Sequence, residues 1–334
     1  MRATALLLVA AWLTGTGTAT AGAFTSEDPH AWLERMGAAM SQMDYQGTFV
    51  YVQGDEVVTM RITHMADDDG VRERLVAMSG SPREILRDSD GVRWVVGDDH
   101  SVLKDPAFSR SFFPQLPLDL KDQADRSYQL KLGGVGRIAA QSVRRLDIIP
   151  RDDYRYGYSL WLEEHSALLL KWQLLAPDGQ SLAKLMFTDF RMGSEVDPSE
   201  LVSSSALRKF KTVESRLPGG RSDPREAPRW KPLRLPPGFE LTDHRYYSLK
   251  QPSGDDPAQA AGAFEHLVYS DGIAAVSVYI ESGEEEPDSK IRVKRLGTTH
   301  AFSHSSDGVL VTVVGDVPEA TVRLIGGAVG PVAE

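Results

Sequence analysis

The sequence has no cysteine among its 334 residues. A disulfide framework, a cysteine-based zinc site and a thiol nucleophile are therefore excluded, and no cysteine can carry a lipid anchor. Long apolar runs are also missing after the first 21 residues, where no stretch approaches the roughly 20 uncharged residues of a membrane-spanning helix. Positive charge is in deficit, with 37 Lys and Arg against 47 Asp and Glu. The net charge of −10 argues against general nucleic-acid binding, which needs a basic surface.

The N-terminus has the three parts of a secretory signal peptide. Arg2 precedes an apolar run from Ala3 to Leu13, and small residues follow up to Ala21. We predict that residues 1–21 are removed on export and that the mature protein is soluble.

The first half of the mature chain is predicted to contain one helix followed by many short strands. Asp28 can cap the helix and Pro29 fits its first turn, after which Trp32, Leu33 and Met36 recur at helical spacing. Alternating apolar residues between turn signals predict strands at 47–52, 57–62, 74–78, 92–96, 128–132, 143–149, 156–162, 167–175 and 182–190. A sheet of this size with one helix is expected to curl around it as an open antiparallel half-barrel, in an α+β fold.

A change in composition divides the chain. Between Leu207 and Arg234 nine Lys or Arg and several Pro and Gly oppose only three acidic residues. We place an exposed linker at 213–229, between a half-barrel domain at 22–212 and a smaller mixed α/β domain at 230–334, and expect the two domains to change relative position around it. In the smaller domain, strands are predicted at 239–241, 265–269, 274–280 and 309–314, and a helix at 318–325.

No motif in the sequence specifies catalysis. The Gly134-Val-Gly136 pattern is compatible with nucleotide binding, but the next strand begins near Val143 and leaves no room for a crossover helix, so a tight turn is favoured. The spacing of His300 and His304 would suit a metal only on a helix, and these residues lie in a β-like run. We expect both to be surface residues. Distant Ser, His and Asp side chains could still converge in space. We predict a protein that is not an enzyme, with no catalytic residues, metal or cofactor.

Two sets of residues are candidates for ligand binding. The apolar interval 106–124 has no strand signal and is interpreted as a loop folded over an apolar surface. The cavity-lining candidates are Trp94, Phe112, Phe113, Leu116, Trp161 and Trp172. The alternative for each is an ordinary core position. Strand alternation, moreover, puts Trp161 and Trp172 on faces that need not coincide.

The second set is basic and lies in and around the linker. Its members are Arg208, Lys209, Lys211, Arg221, Arg225 and Arg229. Guanidinium and ammonium groups suit anionic lipid phosphates or an acidic partner segment. The alternative is a solvated linker that its own charges keep extended.

Several runs of the sequence resemble the MucB/RseB family of periplasmic sigma-E (AlgU-type) factor regulatory proteins. The resemblance spans nearly the whole mature chain, in order and in both predicted domains. The runs are Tyr45–Tyr51, Pro150–Tyr158, Leu160–Leu162, Phe187–Phe190, Leu235–Phe239, His266–Val278 and Val311–Pro318.

This resemblance implies a location, a fold and a partner. The location is the periplasm, and the first domain would be similar to the LolA/LolB lipoprotein carriers, an open barrel with an apolar cavity. The partner would be the periplasmic region of an anti-sigma factor similar to MucA/RseA. The protein would shield that region from a DegS/AlgW-type protease and release it on binding lipid, lipopolysaccharide or a mislocalised lipoprotein. A homo-oligomer is compatible with this role.

The resemblance carries over no contact residue, because the family has no motif that marks one. The alternative function is a lipid or lipoprotein carrier of the LolA type. A carrier needs only the first domain, so the second domain favours the regulator.

Overall fold

The structure is a computed structural model of the chain. It describes residues 27–68, 70–80, 83–89, 91–96, 101–105, 124–193, 196–202, 211–214, 227–247, 264–282, 291–306 and 308–332. None of the helices in these ranges is long and apolar enough to cross a membrane.

Helix α1 (Pro29–Gln42) begins where the sequence predicts it. The Asp28 side chain accepts a hydrogen bond from the His30 backbone N–H at 3.0 Å, and Pro29 occupies the first turn, where its missing N–H costs nothing. The apolar side of the helix buries Trp32, Leu33 and Met36 against the sheet described next. The predicted N-terminal helix is therefore confirmed.

Twelve strands form one large sheet. In chain order they are β1 (Tyr45–Gln53), β2 (Glu56–Asp67), β3 (Gly70–Ala77), β4 (Arg83–Asp88), β5 (Gly91–Val96), β6 (Ser101–Asp105), β7 (Tyr128–Ile138), β8 (Gln141–Pro150), β9 (Gly157–Glu163), β10 (Leu169–Leu175), β11 (Ser181–Met192) and β12 (Lys211–Glu214). A four-residue helix, α2 (Ala124–Ser127), precedes β7, and a short 3-10 helix covers Pro198–Leu201.

The large sheet is open and almost entirely antiparallel. Its order is β12-β6-β5-β4-β3-β2-β1-β11-β10-β9-β8-β7, and only the β12–β6 pair is parallel. Helix α1 packs against β2 and β7, and the inner face of the sheet, which faces α1, holds the main core, including Phe49, Ile62, Leu75 and Leu160. The predicted open antiparallel half-barrel covered by a helix is confirmed. Strands β4, β6 and β12 were not predicted from the sequence.

The second unit is a smaller mixed structure, as predicted. Its elements are β13 (Trp230–Pro232), β14 (Glu240–Tyr247), β15 (Phe264–Ser270), β16 (Ala275–Ser282), β17 (Arg292–Leu296), β18 (Thr299–Ser306), β19 (Val309–Gly315), α3 (Glu319–Gly326) and β20 (Val329–Pro331). Six strands form a small antiparallel sheet in the order β14-β15-β16-β19-β18-β17, and β13 pairs with β20. Helix α3 packs on β18 and β19, where Val313, Val322 and Ile325 are fully buried.

The Gly134-Val-Gly136 pattern lies inside a hairpin. Strands β7 and β8 pair antiparallel, and the turn between them is made by Ala139 and Ala140, which have φ angles of 46° and 65°. No crossover helix separates the two strands, so the nucleotide-binding interpretation is excluded and the turn lies just after the glycines.

The predicted linker is described only at its two ends. Val213 and Glu214 belong to β12, beside β6, so an exposed linker can begin only after them. At the other end, the Arg229 backbone N–H donates to Glu265 Oε1 at 3.0 Å. Residues 215–226 lie outside the described residues, and a linker there stays a prediction.

Candidate functional site: the contact and groove between the two sheets

The loop between β8 and β9 carries a buried arginine into the second unit. Arg155 is completely buried, and its Nη1 donates to Asp271 Oδ2 at 2.6 Å. Its Nε donates to Asp152 Oδ1 at 2.9 Å, and its Nη2 donates to the Pro237 carbonyl at 2.7 Å. One side chain therefore joins a loop of the large sheet to two segments of the small-sheet unit.

Aromatic rings complete the surroundings of Arg155. The guanidinium carbon lies 5.3 Å from the ring centroids of both Tyr128 and Phe239. The Tyr128 hydroxyl donates to Asp271 Oδ2 at 2.9 Å, and the pKa of Tyr128 is raised by burial and then by the nearby carboxylate of Asp271. Asp271 Oδ1 accepts the N–H groups of Ile273 and Ala274. The charges are thus paired and hydrogen-bonded, which is the condition for burying them.

Further along the same loop, Tyr156 makes a second contact between the units. Its hydroxyl donates to the Thr298 carbonyl at 3.2 Å and lies 3.3 Å from His300 Nδ1, and burial raises the pKa of Tyr156 to about 12. His300 Nδ1 also lies 2.8 Å from the Val317 carbonyl. His300 is therefore buried in the contact, and the prediction that it is a surface residue is wrong.

A groove opens beside this contact. Its walls are the β1–β2 turn (52–56), the start of β11 with the preceding residue (180–184) and the β17–β18 turn (295–297), and its volume is about 1050 Å³. Gln53 Nε2 bridges the two units by donating to Thr298 Oγ1 at 3.1 Å. The lining carries both signs of charge, from Asp55, Glu56, Lys184 and Arg295. Such a polar groove suits a polypeptide better than an acyl chain.

Of the six cavity candidates, only Trp161 and Trp172 have described side chains. Trp172 is buried on the inner face, with its ring centroid 6.1 Å from that of Tyr51. Trp161 lies between the buried Leu160 and Leu162 and so points to the opposite face, where it cannot line the same cavity. Trp161 is therefore removed from the cavity set. Trp94 on β5 pairs with Ile85 on β4, and only the backbone of Trp94 is described. Phe112, Phe113 and Leu116 lie outside the described residues.

The basic candidates are mostly outside the described residues too. These are Arg208, Lys209, Arg221 and Arg225. Lys211 lies in β12 at the edge of the large sheet, with only its backbone described. The guanidinium of Arg229 lies 4.9 Å from the ring centroid of Tyr246, so this residue packs on the small sheet.

An acidic residue that the sequence analysis missed lies on the inner face of the large sheet. Glu73 on β3 shares that face with Leu75 and is only 6% exposed. Burial raises its pKa to about 7, and the charge of Arg87 opposes that rise. The neighbouring rings of Tyr45 and His64 stack 4.5 Å apart, and burial lowers the pKa of His64. The sequence does contain a signal for this residue, because Glu73 occupies a position at which the alternation of β3 calls for an apolar side chain.

Both units are matched by models of one protein family. The MucB/RseB N-terminal domain matches residues 28–205 and the MucB/RseB C-terminal domain matches residues 224–330. The chain belongs to the MucB/RseB family. Arg155 and Asp271 thus lie one in each family domain, and the contact between them joins the runs Pro150–Tyr158 and His266–Val278 that carried the resemblance.

Individual MucB/RseB proteins resemble this chain over all or most of its length. It is 32% identical to the sigma factor AlgU regulatory protein MucB of Pseudomonas aeruginosa, covering 100% of this chain and 99% of the relative. It is 24% identical to the sigma-E factor regulatory protein RseB of Escherichia coli K12, covering 94% of each.

Solved MucB structures share the fold. The crystal structure of MucB in complex with MucA(peri) is 28% identical, with a TM-score of 0.71 over 92% of this chain and 100% of that one. A crystal structure of MucB alone has a TM-score of 0.58 over 92% of this chain.

Proposed function

We propose that this chain is a periplasmic negative regulator of an envelope stress response. It binds the periplasmic region of an anti-sigma factor similar to MucA or RseA and shields that region from regulated proteolysis. The observation that carries the proposal is the likeness to MucB in its complex with MucA(peri), which extends over both sheets of this chain. The relatives' names, all sigma factor regulatory proteins, support regulation and not catalysis.

The groove between the units is our candidate for the partner's docking site. A segment of the anti-sigma factor lying between the β1–β2 turn and the β17–β18 turn would be inaccessible to a protease, which must surround an extended substrate. Leu296 at this edge is 84% exposed and offers an apolar contact. The buried pair of Arg155 and Asp271 would hold the two walls at a constant distance.

The anti-sigma region would be released when a lipid binds, because the lipid would favour a conformation of the protein that binds this partner less tightly. Acyl chains need a dry apolar surface, for which the inner face around Trp172 and the 106–124 interval are candidates, and phosphates need the Arg and Lys of the linker region. If lipid weakens partner binding, partner must weaken lipid binding by the same factor. Calorimetric titration of the partner segment with and without lipopolysaccharide decides this, because unchanged affinity at saturating lipid excludes it.

The main proposal is tested by capture and protection. The chain from residue 22 onward, immobilised, should retain a single-span protein from the membranes of its own cells, and the recombinant periplasmic region of that protein should bind in calorimetry. Binding should also slow the cleavage of this periplasmic region by a DegS/AlgW-type protease.

A matched pair of variants locates the docking site. Lys184→Glu with Arg295→Glu, both in the groove, should weaken the binding of the anti-sigma region. Lys231→Glu with Arg292→Glu makes the same change of charge outside the groove and should not weaken this binding.

The capture experiment also tests the alternative function. Retention of acylated lipoproteins in place of an anti-sigma factor would favour the carrier function.

A further inference from the structure

The outer face of the large sheet, opposite α1, carries a group of cations that the inner face does not use, and one of them, Lys184, also lines the groove. On one row across the strands, Arg145 on β8 lies opposite Trp161 on β9, which lies opposite Lys171 on β10. Lys171 in turn lies opposite Met186 on β11. On the next row Lys184 lies opposite Gln173, which makes Lys184 a diagonal neighbour of Lys171. We call these five residues, Arg145, Trp161, Lys171, Lys184 and Met186, the outer-face cluster.

Two of the three cations of the outer-face cluster, the lysines, keep their charge unpaired within the described part of the chain. Among the described residues, neither Lys171 nor Lys184 forms an ion pair with a carboxylate, whereas Arg145 is paired with Asp147 at 2.6 Å. Lys171 Nζ lies 3.9 Å from the ring centroid of Trp161. Burial, and then the charges of Lys184 and Arg145, lower the pKa of Lys171, so an anion at this position would relieve a repulsion.

Exposed apolar side chains accompany the cations. Met186 is 42% exposed, and Val57, on the same row as Lys184 through Val52, is 60% exposed. A sheet face presents no convergent backbone N–H groups, so it cannot enclose a single small anion as a nest or a helix end does. Cations spread over adjacent strands with Trp and Met between them fit instead a broad surface that is anionic outside and apolar beneath.

We propose that the outer-face cluster docks this protein on the phosphate headgroups of an anionic lipid bilayer. The proposal rests on the proposed function only for placing the protein within reach of a membrane. It adds a second, peripheral contact, in which Lys171 and Met186 lie outside the groove and Lys184 lies at its border. In a chain of net charge −10, this contact would orient the outer face of the large sheet toward the bilayer and leave the groove open to the side.

The test uses the chain from residue 22 onward and two matched variants. Lys171→Glu with Met186→Glu alters the outer-face cluster without touching the groove. Lys294→Glu with Leu241→Glu is the control, because it makes the same change of charge and Leu241 is 40% exposed, close to the value for Met186. Each protein is sedimented with vesicles of phosphatidylcholine alone and with vesicles that also contain phosphatidylglycerol, at low and high salt.

We expect the unaltered chain to bind only the anionic vesicles, and less at high salt. The K171E/M186E variant should lose about tenfold or more in its partition to these vesicles, and the control less than about threefold. Equal losses in both variants, or no binding of the unaltered chain, would overturn the proposal.

Further measurements distinguish a bilayer from other anionic ligands, and membrane docking from the regulatory function. Abolition of vesicle binding by millimolar inorganic phosphate would assign the cluster to a free anion, and binding of poly-glutamate without vesicle binding would assign it to an acidic polypeptide. Either result overturns the bilayer proposal. Calorimetry of the anti-sigma region with K171E/M186E should be unchanged in solution, so a failure of membrane docking and a failure of the regulatory function give different results.

Discussion

At Arg155 a guanidinium is withdrawn completely from water and held by carboxylates from both units. Asp152 comes from the same loop and Asp271 from the small-sheet unit. Removing water from a charge costs several kcal/mol, which the pair recovers only while both partners and their hydrogen bonds remain in place. The contact is therefore sensitive to the loss of a single side chain.

We predict that Arg155→Ala lowers the free energy of unfolding by about 3–5 kcal/mol, because Asp271 is left buried and unpaired. The control is Arg323→Ala, which removes a half-exposed pair with Glu319 and should cost less than about 1 kcal/mol. Urea denaturation followed by circular dichroism measures both. Equal losses would show that the buried pair contributes no more than a surface pair.

Glu73 predicts a dependence of stability on pH. Its pKa is about 7 in the folded chain and near the ordinary value of about 4.3 when unfolded, so the folded state holds the proton more tightly. This contribution, on the order of 3 kcal/mol, is fully present below about pH 4 and is lost as the pH rises through 7.

Glu73→Gln, which keeps the shape without the charge, should therefore gain stability relative to the unaltered chain between pH 5 and 8. Urea titrations at the two pH values measure the difference, with the exposed Glu240→Gln as the control. A difference between Glu73→Gln and the unaltered chain that does not change with pH would contradict a buried, neutral Glu73.

At the scale of elements, the pairing of β1 with β11 depends on a residue without a side chain. A Cβ added at Gly47 would lie 2.4 Å from the Asp189 carbonyl oxygen and 2.7 Å from a ring carbon of Phe187. At Gly134 on β7, a Cβ would meet nothing within 4 Å. Gly47 is paired with a strand on each side, whereas Gly134 lies at a register shift in the edge strand β7.

Gly47→Ala should thus destabilise the protein by about 1–3 kcal/mol, because the strands must separate to admit the methyl group. Gly134→Ala should change the stability by at most about 1 kcal/mol in either direction. Thermal denaturation of the two variants side by side measures this, and a neutral Gly47→Ala would mean that β1 and β11 are not held in this register.

For the whole molecule, the contact at Arg155 opposes free movement of the two units. Three arginines between residues 215 and 226 are sites for trypsin in a Pro- and Gly-rich segment, where we expect the first cleavage under native conditions. The two fragments should nevertheless elute together in size-exclusion chromatography, because the buried contact joins them.

In Arg155→Ala the nicked fragments should separate. Separation in the unaltered chain, or a first cleavage within 156–190, would contradict this view of the molecule. The outcome also decides whether the predicted reorientation of the domains requires the contact to break.

Much of the fold followed from local patterns. Helix α1 was predicted from Asp28, Pro29 and the spacing of Trp32 and Met36, and the longer strands from alternation. Strands β4 and β6 were not predicted, because they are only six and five residues long and mix charged with apolar residues. Trp161 was included among the cavity candidates because aromatic character alone does not reveal which face of a strand a residue occupies.

The sequence by itself determined the elements, the absence of thiol chemistry and the family, because each depends on neighbouring residues or on the order of short runs. Only the tertiary structure decided which charges meet. Arg155 and Asp271 are 116 positions apart, and Lys171 becomes a neighbour of Lys184 only through the register of β10 and β11. Such pairings depend on loop lengths and strand order, which act over the whole chain, and no local pattern records them.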